Sequence, residues 1–385
     1  HTRLQRVKSR IAIIPNEDYL TKDLVLQLAA TFSTFEWYLL DADRGDLKTK
    51  FHLTLEEEQL FKGIDINIQF VNDRFLEKQN WIENEIKKIQ PDIVFTFSAA
   101  NYSYRCIRKA FPDQRIYVLQ SAFLKSETRP SLSRVLKVKV KNFIKGAPVN
   151  AEKPGFFQPH PRTLFGIWSE SFIPPFLKNR IRYKVVGNFN IDSALSAYEG
   201  QSRREIESPL RAIYMTQPIS LYYGMESHQR NVQVIEQIVE LNKDLKLAIK
   251  MHPRESKELY EALVVEHPES VNWAKPDTEL HSLLKEQDLL ITHYSATIDT
   301  AVAMNIPVVC IDPQGEYEKC LPVAGVYVRM IKNAADLNLG NSYFTDARGR
   351  EAERREYLSQ VTGHTEGKSL LRVGESLLIL AGSTN

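Results

Sequence analysis

Strands and helices alternate along this chain, which predicts an α/β protein built on parallel sheets. Three observations carry that prediction. Short β-branched runs recur at residues 11–14, 92–97, 115–119, 211–215, 288–292 and 307–311, the pattern of strands buried on both faces. Helix-period segments separate them, as the crossovers of a parallel sheet require. The alternation also occurs twice, in two series joined near residues 187–192. A length of 385 residues fits two or three domains, at roughly 150 residues per domain.

In the first series, residues 11–14 form a strand ended by Pro15, 22–31 a helix, and 36–40 a second strand. Residues 64–70 alternate in strand fashion, and 80–89 form an amphipathic helix stopped by Pro91. Residues 92–97 read as a buried strand, 98–101 as a small polar loop, 102–111 as a helix and 115–119 as a strand. A Pro-bearing aromatic stretch, residues 148–175, reads as lying between the two series. The second series has strands at 211–215, 245–251, 288–292 and 307–311, with helices at 231–242, 257–265 and 296–304. Residues 369–380 read as an apolar helix that packs back on the first series. The expected division is therefore 1–190, 191–365 and a C-terminal helix within 366–385.

Composition excludes several classes. Hydrophobic residues make up 43% and charged residues 25%, and 50 Lys+Arg against 48 Asp+Glu leave a net charge of +2. This is neither a disordered chain nor a globally basic nucleic-acid binder, so no nucleic-acid partner is expected. Three cysteines cannot build a disulfide framework, which points to a reducing cytoplasm. No apolar run reaches about 18 residues, and residues 1–10 carry no secretory h-region. No G-x-G-x-x-G, P-loop, zinc-spaced Cys/His cluster or G-x-S-x-G elbow is present. No metal and no cofactor are expected.

The candidate chemistry lies just after strands, where open parallel sheets bind ligands. Lys250, Met251, His252, Pro253 and Arg254 close the strand 245–251. Pro253 fixes its own φ and biases His252 toward an extended backbone. An imidazole held this way can donate a hydrogen bond to a phosphate or ribose hydroxyl, and Arg254 adds a cation. A strand-end histidine with no ligand is the plainer reading. His293, Tyr294, Ser295, Ala296 and Thr297 lead from strand 288–292 into a helix. Ser295 or Thr297 can cap that helix, and a helix N-terminus with hydroxyls suits an anion. Capping alone accounts for them too, and Asp299 in the first turn reads as structural. Gln217 follows the first strand of the second series, and Glu226 and His228 open the next helix. Gln217 is a candidate ligand contact and Glu226 a candidate catalytic carboxylate; solvation and capping explain them equally well. Glu17 and Asp18 follow the first strand and are candidate general bases for an acceptor hydroxyl. A solvated surface pair is the alternative. Residues 129–150 carry basic residues and no acidic one. As an amphipathic helix they offer contact to an anionic membrane or a polyanionic acceptor; as a solvated surface segment, or even a strand, they need no partner.

Taken together, the residues around His252-Pro253 and Ser295-Ala296-Thr297 resemble the HP and Ser/Thr motifs of bacterial sialyltransferases and polysialyltransferases. Related capsule and lipopolysaccharide transferases share that layout. Residues 164–168, 183–188 and Asp192 resemble the interdomain passage of the wider group. The resemblance covers about residues 160–312 and implies a GT-B glycosyltransferase: two Rossmann-like, doubly wound domains facing a cleft. It implies that residues 1–190 bind the acceptor and residues 191–365 the nucleotide sugar. It further implies that His252, Ser295 and Thr297 hold the CMP part of a CMP-sugar donor, with Gln217, Pro253, Arg254 and Ala296 beside them. The implied reaction moves a sialic-acid-like or other ulosonic acid to a hydroxyl of a glycan or lipid-linked glycan acceptor. It is inverting, metal-independent, and located in the cytoplasm or peripherally on the inner face of the membrane. The acidic pair before Gly that such sialyltransferases use as base is not matched, since Tyr19 follows Glu17 and Asp18. No acid follows Gln217 before Glu226, which favours direct displacement over a covalent intermediate. Three other readings stay open: a UDP-sugar or CDP-glycerol transferase on the same fold, a nucleotide-sugar epimerase, and a non-catalytic glycan-binding protein.

Overall fold

A computed structural model describes residues 8–15, 20–40, 54–62, 75–97, 102–120, 156–198, 208–275, 278–315, 327–337, 339 and 347–382. The chain forms two compact units, His1–Phe189 with Lys368–Asn385, and Asn190–Gly367. Glu17, Asp18, the strand expected at 64–70, the loop 98–101 and the basic stretch 129–150 lie outside the described residues.

The first unit is built on a six-stranded sheet. Its strands are β1 (Ser9–Ile14), β2 (Phe35–Leu39), β3 (Ile93–Thr96), β4 (Arg115–Leu119), β5 (Thr163–Ile167) and β6 (Arg182–Val185), in the order β2-β1-β3-β4-β5-β6. Every neighbouring pair is parallel. Helices α1 (Leu20–Thr31), α2 (Leu55–Glu58), α3 (Phe75–Ile89) and α4 (Tyr102–Ala110) connect strands of this sheet. The β-branched runs form the buried strands because an interior strand shows both faces to apolar partners. Ile93, Val94, Phe95, Ile116 and Val118 are all fully buried.

The stretch expected between the units instead supplies β5, an inner strand of the first sheet. Its Gly166 explains why the strand is hard to read. A Cβ there would stand 2.1 Å from the Tyr117 hydroxyl, so only glycine lets that ring lie against the strand. The C-terminal helix, Ser369–Ala381, puts Val373, Leu377 and Leu380 into the same core as Leu24 and Leu28 of α1.

The second unit repeats the plan with β7 (Leu210–Met215), β8 (Leu245–Lys250), β9 (Val271–Trp273), β10 (Leu289–Thr292), β11 (Val308–Ile311) and β12 (Val328–Ile331), all parallel, in the order β12-β11-β10-β7-β8-β9. Its helices are α5 (Asp192–Tyr198), α6 (Ile219–Tyr223), α7 (Met225–Leu241), α8 (Glu261–Glu266), α9 (Leu280–Lys285), α10 (Thr297–Ala303) and α11 (Ala347–Thr362); the C-terminal helix is α12. α7 begins at Met225 rather than at residue 231, with polar Glu226 and Arg230 in its first turns. The helix expected over 257–265 is broken into a 3₁₀ turn, Lys257–Leu259, and α8. Between them Tyr260 leaves helical geometry at φ −128° and ψ 1°, and its side chain is almost wholly buried.

Candidate functional site

In the second sheet the strand order reverses between β7 and β10. Successive strands β8 and β9 build outward on one side of β7, and β10, β11 and β12 on the other. Ligands of open parallel sheets bind beyond the carboxyl ends of the strands at such a reversal. The residues there are Thr216 and Gln217 after β7, Met251 to Glu255 after β8, and His293 to Thr297 after β10.

His252 is half-buried and held at three atoms. Its N–H donates to Thr216 Oγ1 (2.8 Å), its carbonyl accepts from the Glu255 N–H (3.0 Å), and its Nδ1 accepts from the Arg254 N–H (3.2 Å). Burial, with the Arg254 charge added, pushes its pKa below the ordinary histidine value. A neutral ring whose Nδ1 is an acceptor carries its proton on Nε2. The geometry thus fixes His252 as an Nε2–H donor. Pro253 is exposed, and the exposed Arg254 donates to the Tyr222 hydroxyl (2.9 Å).

Ser295, Ala296 and Thr297 are half-buried. Ser295 Oγ accepts from the Thr297 N–H (3.2 Å) and from the Thr297 hydroxyl (2.9 Å). Its own proton is left to donate. Ser295 takes the first N–H of α10, but the N-cap position is Ala296, without a side-chain cap bond, and α10 spans only seven residues, so hydroxyls rather than a long helix terminus form the polar face here. Asp299 is buried and accepts from the Tyr357 hydroxyl (3.1 Å), a role inside the core. The Tyr223 and Tyr294 rings meet edge to face at 6.1 Å. Through Arg254, Tyr222, Tyr223 and Tyr294, neighbouring contacts run from the His252 loop to the Ser295 loop.

Gln217 is half-buried, and its carbonyl accepts from the Ile219 N–H (2.6 Å) where α6 begins. Glu226 sits on the exposed side of α7, paired with Arg230 one turn on. His228 is buried. Its Nε2 lies 3.3 Å from the Leu259 carbonyl and its ring 5.1 Å from that of Tyr260.

A polar chain that sequence reasoning missed runs behind the loop. The Thr216 hydroxyl bonds Glu255, and Tyr260 Oη lies 2.9 Å from Glu255 Oε1. The Tyr260 ring meets that of Tyr214 edge to face at 5.9 Å. Tyr214 Oη is 2.7 Å from His293 Nε2, and His293 Nδ1 is 3.0 Å from the Ile311 carbonyl. His293 is fully buried, and burial pushes its pKa down to about 4. The tyrosines sit inside a strand and at a helix break, where nothing in the sequence marks them as polar partners. The one available signal was Glu255, three residues after His252, at the reach of a turn. Among the described residues, one His/carboxylate group has metal-ligand spacing: Glu236, Glu240 and His267. It involves none of the strand-end residues named above.

No protein-family model and no curated protein matches this chain. Solved structures do. The chain is similar to a putative UDP-N-acetylglucosamine 2-epimerase from Listeria monocytogenes, with TM-score 0.61, 17% identity and 98% of each chain covered. It is similar to S. aureus MnaA, solved with UDP, with TM-score 0.58, 13% identity and 98% of each chain covered. It is also similar to a glycosyltransferase from Rickettsia africae, with TM-score 0.57, 15% identity, and 98% of this chain and 100% of that one covered. The fold is therefore GT-B: two Rossmann-like units, each on a six-stranded parallel sheet.

Proposed function

We propose that the protein is a nucleotide-sugar-dependent glycosyltransferase whose second unit binds the donor nucleotide. The observation that supports this best is the fixed tautomer of His252. An Nε2–H donor at the strand-order reversal suits a phosphate or ribose oxygen, and a base does not need to be fixed in that state. Ser295 and Thr297 supply further hydroxyls, Arg254 a cation, and Gln217 a neutral contact. A neutral imidazole and preorganised donors meet phosphate charge without costly reorganisation. The resemblance of the HP and Ser/Thr motifs favours a CMP-linked ulosonic-acid donor, a glycan acceptor and an inverting, metal-independent displacement. The acceptor base is proposed among Glu17 and Asp18; Glu226, ion-paired and exposed, has less to support it. Contact with a membrane surface through residues 129–150 and a cytoplasmic site of action belong to the same reading. Among the described residues no helix is long and apolar enough to cross a membrane.

A second reading has its own support. The fold matches over nearly the full length include two proteins named as UDP-N-acetylglucosamine 2-epimerases or solved with UDP. That favours a UDP-linked substrate and a reaction on the sugar alone. Calorimetry with CMP, CDP and UDP separates the donors, and product formation without any acceptor separates epimerase from transferase. His252→Ala should weaken nucleotide binding by about tenfold or more, the loss of a hydrogen bond to a charged group, with unfolding by urea unchanged. Unaltered binding would remove His252 from the site.

A further inference from the structure

Glu236, Glu240 and His267 lie away from the strand ends that carry the candidate site. α7 follows β7 at that end of the sheet and runs back toward the start of β8, so the two glutamates, in its second half, stand at the opposite end. They are one turn apart and share a face of the helix. Val234, Ile235, Ile238 and Val239 of the same helix are buried in one core with Leu263 of α8. That packing brings the end of α8 beside the two carboxylates.

His267 ends α8, and three backbone bonds fix where it stands. Its N–H donates to the Leu263 carbonyl (3.2 Å), and its carbonyl accepts from the N–H groups of Ser270 (3.0 Å) and Val271 (2.8 Å), the first residue of β9. The imidazole is thus delivered to α7 by a pinned backbone. Its side chain is 20% exposed, but its Nε2 is shut off from water and has no hydrogen-bond partner among the described residues. Glu236 Oε1 is 4.0 Å from that nitrogen, beyond hydrogen-bond reach. A buried ring nitrogen left unpaired costs free energy, and such an atom in a native fold calls for a partner. One oxygen of each carboxylate and one nitrogen of the ring lie within 4.8 Å of one another. Carboxylates on helix faces are common without an ion; the orphaned imidazole nitrogen sets this face apart. Burial, and then the neighbouring Glu266 and Glu240, push the Glu236 pKa above the ordinary carboxylate value, against His267, and a cation among these groups relieves that crowding.

We propose that Glu236, Glu240 and His267 bind one divalent transition-metal ion of the Zn²⁺ kind, which ties α7 to the turn between α8 and β9. Two carboxylate oxygens and one imidazole nitrogen leave a fourth position for water. The imidazole selects the ion: Mg²⁺ and Ca²⁺ take oxygen ligands, whereas Zn²⁺ takes nitrogen and oxygen together. Bonds of about 2.1 Å hold the ligands of a tetrahedral ion about 3.4 Å apart, so the three atoms close by about 1 Å on binding. Rotamer changes of the glutamates supply that movement, since Glu240 is exposed and Glu236 half-buried, while the pinned ring stays in place. The exposed side of Glu240 also gives the ion a way in. β9 is an edge strand of the sheet, and the ion fastens the turn that leads into it. No strand-end residue takes part. The ion therefore has no step in the proposed transfer, and the inference stands apart from the nucleotide reading.

The test is calorimetry with Zn²⁺ on the metal-stripped full chain at neutral pH, where the imidazole is free to ligate. One ion per chain should bind with a dissociation constant of about 10 μM or tighter. His267→Ala should weaken binding by about tenfold or more, and so should the pair Glu236→Gln with Glu240→Gln. Co²⁺ in place of Zn²⁺ should give the wild type the visible absorption of a four-coordinate ion, and both variants should lose it. At a hundredfold excess over the dissociation constant, Zn²⁺ should raise the wild-type melting temperature by about 5 °C or more and leave that of the variants unchanged. In EDTA the glutamine pair should unfold at the wild-type urea concentration or slightly above it, because only like charges are removed. The pair is close in shape to the native residues, so it decides the matter even if His267→Ala fails to fold. Zn²⁺ bound as tightly by the variants as by the wild type places the ion elsewhere and overturns the proposal. A wild-type dissociation constant above about 1 mM does the same. Mg²⁺ or Ca²⁺ competing as well as Zn²⁺ would reveal an acidic face that attracts any cation, and would overturn it too.

Discussion

Each unit buries a polar lock at its strand ends, and the two locks are made of different materials. In the first unit Gln120, just after β4, faces Trp168, just after β5, and both are fully buried. Gln120 Oε1 accepts from the Trp168 N–H (2.9 Å), the Gln120 carbonyl accepts from Trp168 Nε1–H (2.9 Å), and the Gln120 N–H donates to the Gly166 carbonyl (2.9 Å). The groups in these three bonds are amides and an indole, and none of them titrates. In the second unit the Ile311 carbonyl, His293 and Tyr214 are joined by hydrogen bonds, Tyr260 bonds Glu255 beside the half-buried His252 loop, and the two runs meet where the Tyr214 and Tyr260 rings pack edge to face at 5.9 Å; each of these side chains can gain or lose a proton. Both locks satisfy buried polar groups, which cost free energy if left unpaired. The bonds of the second include titratable groups where those of the first include none, and the second reaches the loop for which we propose ligand binding.

The largest test of that contrast is acid. His293 is folded neutral with its pKa pushed down to about 4, whereas an unfolded histidine titrates near about 6.5. Between those values the unfolded chain binds a proton that the folded unit does not. Stability is full above the unfolded value and is lost as pH falls toward the folded one, by about 3 kcal/mol in all. His228, also lowered by burial, adds to the same slope. Hydrogen exchange, corrected for intrinsic rates, should show peptides of β10 and β11 losing protection from about pH 6.5 to about pH 4, with those of β4 and β5 changing less. Equal loss in both sets would break the contrast.

Smaller, and of the other character, is the loss from Gln120→Ala. It strips the Trp168 N–H of its acceptor inside a dry core, a cost of about 1–3 kcal/mol. Because the bonds named in this lock involve no titratable group, urea unfolding at acid and neutral pH should report the same loss. A loss that varies with pH would show the first lock coupled to a titrating group.

The sequence shows the same division between interior and edge. Strands β1, β3, β4, β7, β8, β10 and β11 are apolar or β-branched runs, and each was legible because inner strands of a parallel sheet need apolar faces on both sides. Three strands that were not read are β6, β9 and β12, and all three are sheet edges. β6 carries Arg182 and Lys184 exposed and β12 carries half-buried Arg329 and Met330, so their patterns lack the apolar run. β5 was missed for a different reason, the glycine that admits Tyr117. α11 was missed because it is highly charged, with Arg348, Arg350, Glu351, Glu353, Arg354, Arg355 and Glu356 along it. The strand-end positions of His252, Arg254, Ser295 and Thr297 at the candidate site were legible because Pro253 and the strand-to-helix turn place them locally. Thr216, Tyr214, Tyr260 and His293 come together only because β7, β8 and β10 are neighbours in space, which no local pattern states.

The smallest expected effect sharpens where the second lock ends. Tyr222→Phe removes only the hydroxyl that accepts from Arg254 (2.9 Å). Tyr222 is 54% exposed and Arg254 is exposed as well, so water replaces either partner, and an exposed contact of this kind contributes about 1 kcal/mol or less. Nothing in this contact bonds the His252 backbone; Thr216 and Glu255 do that. Stability should therefore stay within about 0.5 kcal/mol of wild type, and nucleotide affinity within about threefold. A loss beyond tenfold with stability unchanged would mean that the lock extends past the buried chain, and that Arg254 needs the Tyr222 hydroxyl to aim its charge at the ligand. The buried links would then set where His252 stands, and an exposed one would set where the cation points.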